Sequence, residues 1–359
     1  MKKQSDPIPY MQRCLQLARL GEYYVAPNPM VGAVLVNATG DIVAEGWHRQ
    51  FGGPHAEVNC IRQAEEKGIT SFDDCALYVS LEPCSHYGKT PPCARLLIEK
   101  RIPRVVIGQL DPNPQVSGRG VQMLREAGVE VEVGVCEAEC RRLNRRFLCL
   151  HEKHRPYVTL KWAQTADGFI DRIRSLDGSE ACHQPLVISS PVTKQLVHQI
   201  RAENMAIMVG TRTALMDNPR LLTTRWAGRN PIRVLPDRHH VVPRSFRIFS
   251  NDSQTLVYEQ NTDWEFILQD LASRGVHSLL VEGGKQWLDT IFRSGIWDEV
   301  HIEVAPVKIG EGVPAPLFPM DQPAAMDCIL TEQMTIQGHK LYTYCRSQTD
   351  ELPLPPQLA

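Results

Sequence analysis

The chain has 359 residues, 43% of them hydrophobic and 22% charged, with a formal net charge of −2. That length predicts two domains with ordinary buried cores, and the charge balance offers no bulk attraction to nucleic acid. No apolar run approaches the ~20 residues of a membrane span.

The opening Met1-Lys2-Lys3-Gln4-Ser5-Asp6-Pro7 lacks the apolar stretch of a secretory signal. Eleven cysteines lie scattered from Cys14 to Cys345 without a dense framework, which suits reduced thiols in the cytosol. Cys14, Cys60, Cys75 and Cys149 are expected as small apolar core residues. Met11, Cys14, Leu15 and Ala18 recur at helical spacing behind Asp6-Pro7 and predict a first helix. Residues 31–36 read as a buried strand that turns at Asn37-Ala38-Thr39-Gly40-Asp41 and returns over 42–46. Pro54-His55-Ala56-Glu57 opens a helix that runs to about Lys67 and stops at Gly68. Strands over 76–81, 104–108 and 129–133 then alternate with helices over 93–100 and 120–127. The polar, basic His151-Glu152-Lys153-His154-Arg155-Pro156 separates this stretch from a second one. Domains are therefore expected at 1–147 and 156–345, with 148–155 as linker and a disordered tail over 346–359.

In the second stretch, strands are expected over 157–161, 206–210, 231–235, 255–258, 278–281, 299–304 and 334–344, and helices over 191–203, 264–274 and 285–294. Alternation of this kind predicts an α/β fold whose central sheet carries helices on both faces. The pattern also puts His55 and Cys93 at helix N-termini and Cys84 on the loop after a strand. A helix N-terminus favours thiolate over thiol.

Chemistry concentrates in His55-Ala56-Glu57 and Pro83-Cys84…Pro92-Cys93. A catalytic zinc takes three protein ligands and keeps one position for water. His55, Cys84 and Cys93 meet that count and leave Glu57 free to move protons, the arrangement of zinc deaminases acting on nucleobases. Here eight residues separate the cysteines where those enzymes have two. Bound zinc lowers the pKa of its water from about 15.7 towards 7. Glu57 would take the water's proton and hand it to the ring nitrogen and departing ammonia, help worth roughly 10²–10⁴-fold. A structural zinc is the other reading; such sites are closed by four protein ligands, and His86 is the nearby candidate for the fourth.

Asn28-Pro29-Met30-Val31-Gly32, His55-Ala56-Glu57-Val58, the run from Leu81-Glu82-Pro83-Cys84-Ser85-His86 to Lys89-Thr90-Pro91-Pro92-Cys93, and Asp111-Pro112-Asn113-Pro114-Gln115-Val116 resemble the deaminase half of the bifunctional riboflavin-biosynthesis deaminase/reductases. The resemblance spans roughly residues 8–147 and includes the long insert between the cysteines. It implies a cytidine-deaminase-like three-layer domain acting on 2,5-diamino-6-ribosylamino-4(3H)-pyrimidinone 5′-phosphate, which loses its 2-amino group to water. His86 and Lys89 would then offer positive charge to the 5′-phosphate, with the Thr90 hydroxyl nearby; a solvated polar loop is the plainer reading. Asn28 would bind a polar ring or ribose edge and Asp111 and Asn113 the ribose hydroxyls, though all three also suit ordinary turns.

Two weaker signals mark the second half. Val281-Glu282-Gly283-Gly284 passes from strand to helix, where glycine amides can approach a phosphate, although the G-x-G-x-x-G fingerprint is missing. Asp217-Asn218-Pro219 would put a carboxylate at the sheet's carboxyl edge, where open α/β sheets bind ligands. Together with Lys161-Trp162-Ala163-Gln164-Thr165-Ala166-Asp167-Gly168, Arg201-Ala202-Glu203 and Val209-Gly210-Thr211-Arg212-Thr213, they resemble the reductase half of the same family. This implies a dihydrofolate-reductase-like α/β domain that uses NADPH to turn the ribosyl group into a ribityl chain, giving 5-amino-6-ribitylamino-uracil 5′-phosphate. By matching position, Ala163, Thr213, Asp217 and Gly284 would lie along the cofactor. Ser189, Arg201, Leu221, Arg225 and Glu282 would face the substrate, and Asp217 would assist proton movement near the sugar C1.

Three stretches depart from the family. Gly178-Ser179-Glu180 replaces a Gly-Glu-Ser-x-Trp-Ile run, Leu221-Leu222-Thr223-Thr224-Arg225 is one residue longer than Leu-Thr-x-Arg, and Pro236 stands where an apolar strand residue is usual. The expected cofactors are Zn²⁺ and NADPH, and the expected partner is a small pyrimidinone ribose phosphate. No nucleic acid or membrane is expected, and a homo-oligomer is left open. A nucleic-acid or free-nucleoside deaminase, and a zinc-stabilised module that only senses a flavin precursor, are the competing readings.

Overall fold

The computed structural model describes residues 6–87, 91–112, 117–174 and 184–347. Lys89, Thr90, Asn113, Gly178-Ser179-Glu180 and the tail beyond residue 347 lie outside the described residues. The chain divides into two compact units, Met1–Lys153 and His154–Ala359.

In the first unit the elements run α1 (Ile8–Arg19), β1 (Gly32–Val36), β2 (Ile42–Trp47), α2 (Ala56–Glu66), β3 (Ala76–Leu81), α3 (Cys93–Glu99), β4 (Arg104–Gln109), α4 (Arg119–Glu126), β5 (Glu130–Val133), α5 (Glu137–Leu143) and α6 (Arg145–Lys153). The sheet order is β2-β1-β3-β4-β5. β1 pairs antiparallel with β2 and β3, and β3, β4 and β5 are parallel. Side chains alternate across a strand, and the three central strands are apolar on both faces. Val34, Val36, Tyr78 and Val106 pack with Met11, Cys14 and Leu17 of α1 and Cys140 of α5. Leu35, Leu77, Val79, Val105 and Ile107 pack with Ile61 of α2, Leu97 of α3 and Leu124 of α4. The result is helix–sheet–helix. Gly32 allows α1 to lie against β1, because a Cβ there would meet the Cys14 carbonyl oxygen at 2.0 Å. Cys14, Cys60, Cys75 and Cys149 are buried, as expected of core residues.

The span 148–155 read as linker is helical as far as Lys153, the end of α6. That helix buries Arg146, Leu148 and Cys149.

The second unit contains β6 (Tyr157–Thr165), β7 (Phe169–Asp171), α7 (Pro191–Ala202), β8 (Ala206–Met208), α8 (Thr211–Asp217), β9 (Ile232–Pro236), β10 (Thr255–Tyr258), α9 (Trp264–Ser273), β11 (Ser278–Val281), α10 (Lys285–Ser294), β12 (Glu299–Ala305), β13 (Val313–Pro314), β14 (Cys328–Ile336) and β15 (His339–Arg346). Eight strands form one sheet in the order β10-β9-β8-β11-β6-β12-β15-β14. It is parallel from β10 to β12 and closes with an antiparallel hairpin. One face packs on Ile267, Leu268 and Leu271 of α9 and Leu288 and Ile291 of α10. The other packs Ile207, Leu235 and Leu280 against Ala214 of α8, with Ile200 of α7 alongside.

Two expectations need correction here. Residues 334–344 are not one strand: β14 and β15 fold back at Gln337-Gly338, both at positive φ (51° and 81°), as a two-residue hairpin turn demands. The strand expected over 206–210 is shorter: β8 stops at Met208 and Thr211 already begins α8. Pro236 is the last residue of β9, so its missing N–H falls at a strand end and costs little of the ladder.

Candidate metal centre and reductase cleft

Three elements deliver the first site. His55 is the N-cap of α2, Cys93 is the first residue of α3 behind Pro92, and Cys84 sits in the loop after β3. Their donor atoms all lie within 4.8 Å of one another. His55 Nδ1 is 3.6 Å from Cys84 Sγ and 3.4 Å from Cys93 Sγ. Tetrahedral zinc with bonds of about 2.3 Å to sulfur and 2.0–2.1 Å to nitrogen requires N···S separations of about 3.5 Å. The donor set fits zinc. Among the described residues no fourth ligand joins the cluster; His86 is exposed and stands apart from it.

The three donors are electrostatically coupled. The hydrogen bond from Cys93 and then that from His55 pull the Cys84 thiol down to about 4. The Cys93 backbone amide adds a contact of 3.3 Å to Cys84 Sγ. Between the two thiols one proton is shared, so Cys93 moves upward, driven by Cys84 and by burial. His55 is raised to about 9, chiefly by its bond to Cys84. Glu57, in the first turn of α2 and 3% exposed, is raised to about 7 by burial, with His55 opposing and the Cys84 charge adding to it. Its carboxyl also interacts with the Cys93 thiol. A buried carboxyl that shares its surroundings with the metal ligands is placed to hold and release a proton.

Asn28 reaches this centre through His48. Asn28 Nδ2 lies 3.1 Å from His48 Nε2, His48 Nδ1 lies 3.0 Å from the Pro54 carbonyl oxygen, and the His48 ring meets His55 edge-on at 5.6 Å. Sequence reasoning assigned His48 nothing; only its contacts identify it. Asp111 is held by its amide, which donates to Glu82 Oε2 at 3.2 Å. Glu82 also escaped notice. Buried behind Cys84, it accepts backbone N–H groups of Asp111, Gly118, Gly120 and Val121 at 2.9–3.2 Å.

In the second unit a cleft of about 720 Å³ opens beyond the carboxyl ends of β8 and β11. Ala163, Ser189, Thr213, Asp217, Glu282 and Gly284 all line it. Arg201 stands behind Glu282 in a two-pronged pair of 2.8 and 2.6 Å. This pairing holds the Glu282 carboxyl below its usual range against burial, which pushes the other way. Leu221 is buried in the core and Arg225 is exposed; neither lines the cleft. Asp217 ends α8, and its carboxylate accepts from Arg174 at 2.6 Å. The Gly284 amide donates to Thr213 Oγ1 at 3.1 Å, so this hydroxyl fixes the glycine turn. Lys161, quoted within a motif but given no role, lines the cleft. Burial lowers its ammonium from 10.5 while the charges of Glu282 and Glu303 oppose that fall. The available signal was a lone cation in the apolar run of β6.

Comparison with known proteins agrees with this geometry. Residues 156–339 match the family model of the RibD C-terminal domain, and residues 4–109 that of the cytidine and deoxycytidylate deaminase zinc-binding region. Riboflavin biosynthesis protein RibD of Aquifex aeolicus is 38% identical over 327 residues, covering 85% of this chain and 88% of its own length. That of Escherichia coli is 34% identical over 338 residues, with 84% and 88% covered. The solved structure of a diaminohydroxyphosphoribosylaminopyrimidine deaminase/5-amino-6-(5-phosphoribosylamino)uracil reductase from Thermotoga maritima has a TM-score of 0.81 at 36% identity, covering 94% of this chain and 98% of that one. The chain therefore belongs to the RibD family, the bifunctional zinc-dependent deaminases and NADPH-dependent reductases of riboflavin biosynthesis.

Proposed function

We propose that residues 1–147 carry the deamination and residues 156–345 the reduction. The observation behind the first assignment is the three-donor cluster with Glu57 buried beside it. His55, Cys84 and Cys93 would hold a zinc ion, which supplies a water acidified towards pKa 7. Glu57 would take one proton from the attacking water and pass it to the ring nitrogen, then carry a second from the resulting hydroxyl to the departing ammonia of 2,5-diamino-6-ribosylamino-4(3H)-pyrimidinone 5′-phosphate. Asn28 and Asp111 bind the ring and ribose edges. His86, Lys89 and Asn113 complete the contacts to phosphate and ribose.

In the cleft, Ala163, Thr213, Asp217 and Gly284 would hold NADPH, which would supply a hydride to the sugar C1. Ser189, Glu282 and Arg201 face the ribosyl group, with Leu221 and Arg225 further out. The desolvated Lys161 ammonium is suited to protonate the sugar oxygen as the ring opens. Asp217, bonded to Arg174, orients groups near C1. None of the ten described cysteines forms a disulfide, which supports a cytosolic setting. No helix of the described residues is long and apolar enough to cross a membrane.

The test is a metal analysis combined with product mass after incubation with the pyrimidinone phosphate, with and without NADPH. Loss of an amine first and gain of two hydrogens second is the expected outcome. Stoichiometric zinc without ammonia release would favour a sensor.

A further inference from the structure

A buried carboxylate behind the cleft determines what one of the cleft's hydroxyls can do. Glu303 of β12 is 2% exposed and collects three donors: Ser189 Oγ at 2.5 Å, Thr193 Oγ1 at 2.7 Å and His339 Nδ1 at 2.8 Å. Of these four residues, only Ser189 lines the cleft. A serine hydroxyl has one hydrogen and two lone pairs, and an ionised carboxylate only accepts. With its hydrogen committed to Glu303, Ser189 has only lone pairs to offer the cleft.

We propose that Glu303 is a positioning residue of the reductase, acting through Ser189, so that Ser189 reads a hydroxyl or amine N–H of the ribosyl chain and not its phosphate. Phosphate oxygens are acceptors and would meet the Ser189 lone pairs unfavourably. The helix that follows fixes the geometry. Ser190 caps α7 by accepting the Thr193 amide at 3.1 Å, which holds Thr193 and Ser189 in place around the carboxylate. This inference rests on the reading of the second unit as the reductase.

The experiment is steady-state reduction by the full-length chain, using the deaminated phosphosugar and its dephosphorylated counterpart. Ser189→Ala should raise KM by about tenfold for both substrates alike, the effect of one lost hydrogen bond, while KM for NADPH stays put. Glu303→Gln should raise the substrate KM similarly and add nothing further in the Ser189→Ala background, as coupled residues do. A penalty confined to the phosphorylated substrate would overturn the proposal, and so would additive effects of the two substitutions. If Glu303→Gln fails to fold, the comparison of the two substrates in Ser189→Ala decides alone. A wild-type chain that reduces neither substrate would instead overturn the reading of the cleft, and this inference with it.

Discussion

Glu57 shows how much a single buried group depends on its surroundings. Glu57→Gln keeps the shape and the zinc ligands but cannot ionise. It should retain stoichiometric zinc and lose ammonia release by about 10²–10⁴-fold, measured by single-substrate kinetics. Linkage gives a second prediction for protein stripped of metal. The native carboxyl is raised to about 7 from 4.5, so its contribution to stability is full below pH 4.5 and is lost as pH rises through 7. The melting temperature of the wild type relative to Glu57→Gln should therefore fall between pH 4.5 and 6.5, while Cys84, drawn down to about 4, contributes the opposite slope in both proteins. His55, raised to about 9 from 6.5, acts in a higher window. Glu57, His55, Cys84 and Cys93 were readable from spacing because a metal imposes its ligand count on the sequence. His48 and Lys161 were not. Their parts follow from contacts across the fold, such as the 3.1 Å approach of His48 to Asn28, and no local pattern encodes them.

At the scale of elements, Glu82 joins the loop after β3 to the N-terminus of α4. Glycine at 120 belongs to the same device, since a Cβ there would lie 2.1 Å from the Pro83 carbonyl oxygen. Glu82→Gln leaves some of the four amides unsatisfied and should cost about 1–3 kcal/mol, read from denaturant unfolding. It should also raise KM for deamination, because the Asp111 loop loses its anchor. Most elements were readable from apolar periodicity: β3 spans 76–81 as expected, and α10 spans 285–294. The failures have local causes. Gln337 is a poor advertisement for a hairpin turn that needs positive φ at both residues, so β14 and β15 read as one strand. Val209 and Gly210 extend the apolar run of β8, so that strand read two residues too long and the short α8 behind it went unread.

For the whole molecule, two units with separate hydrophobic cores predict separable losses. Chelation should abolish deamination yet leave NADPH oxidation intact when the deaminated intermediate is supplied. Arg201→Ala should do the reverse, and it should also destabilise the second unit by about 3–5 kcal/mol, because Glu282 is left buried and unpaired. Ammonia release and absorbance at 340 nm distinguish the two patterns.

The thiols carry a practical corollary. Among the described cysteines only Cys84 and Cys136 are more than marginally accessible, and they differ in kind: Cys84 is drawn down to about 4, whereas burial and nearby carboxylates raise Cys136. Since thiolate is the reactive form, a mildly acidic alkylation pulse should mark Cys84 and spare Cys136. A bound ion would shield that sulfur. The labelled fraction of the peptide bearing Cys84, weighed by mass spectrometry, would thus count empty molecules directly in any preparation.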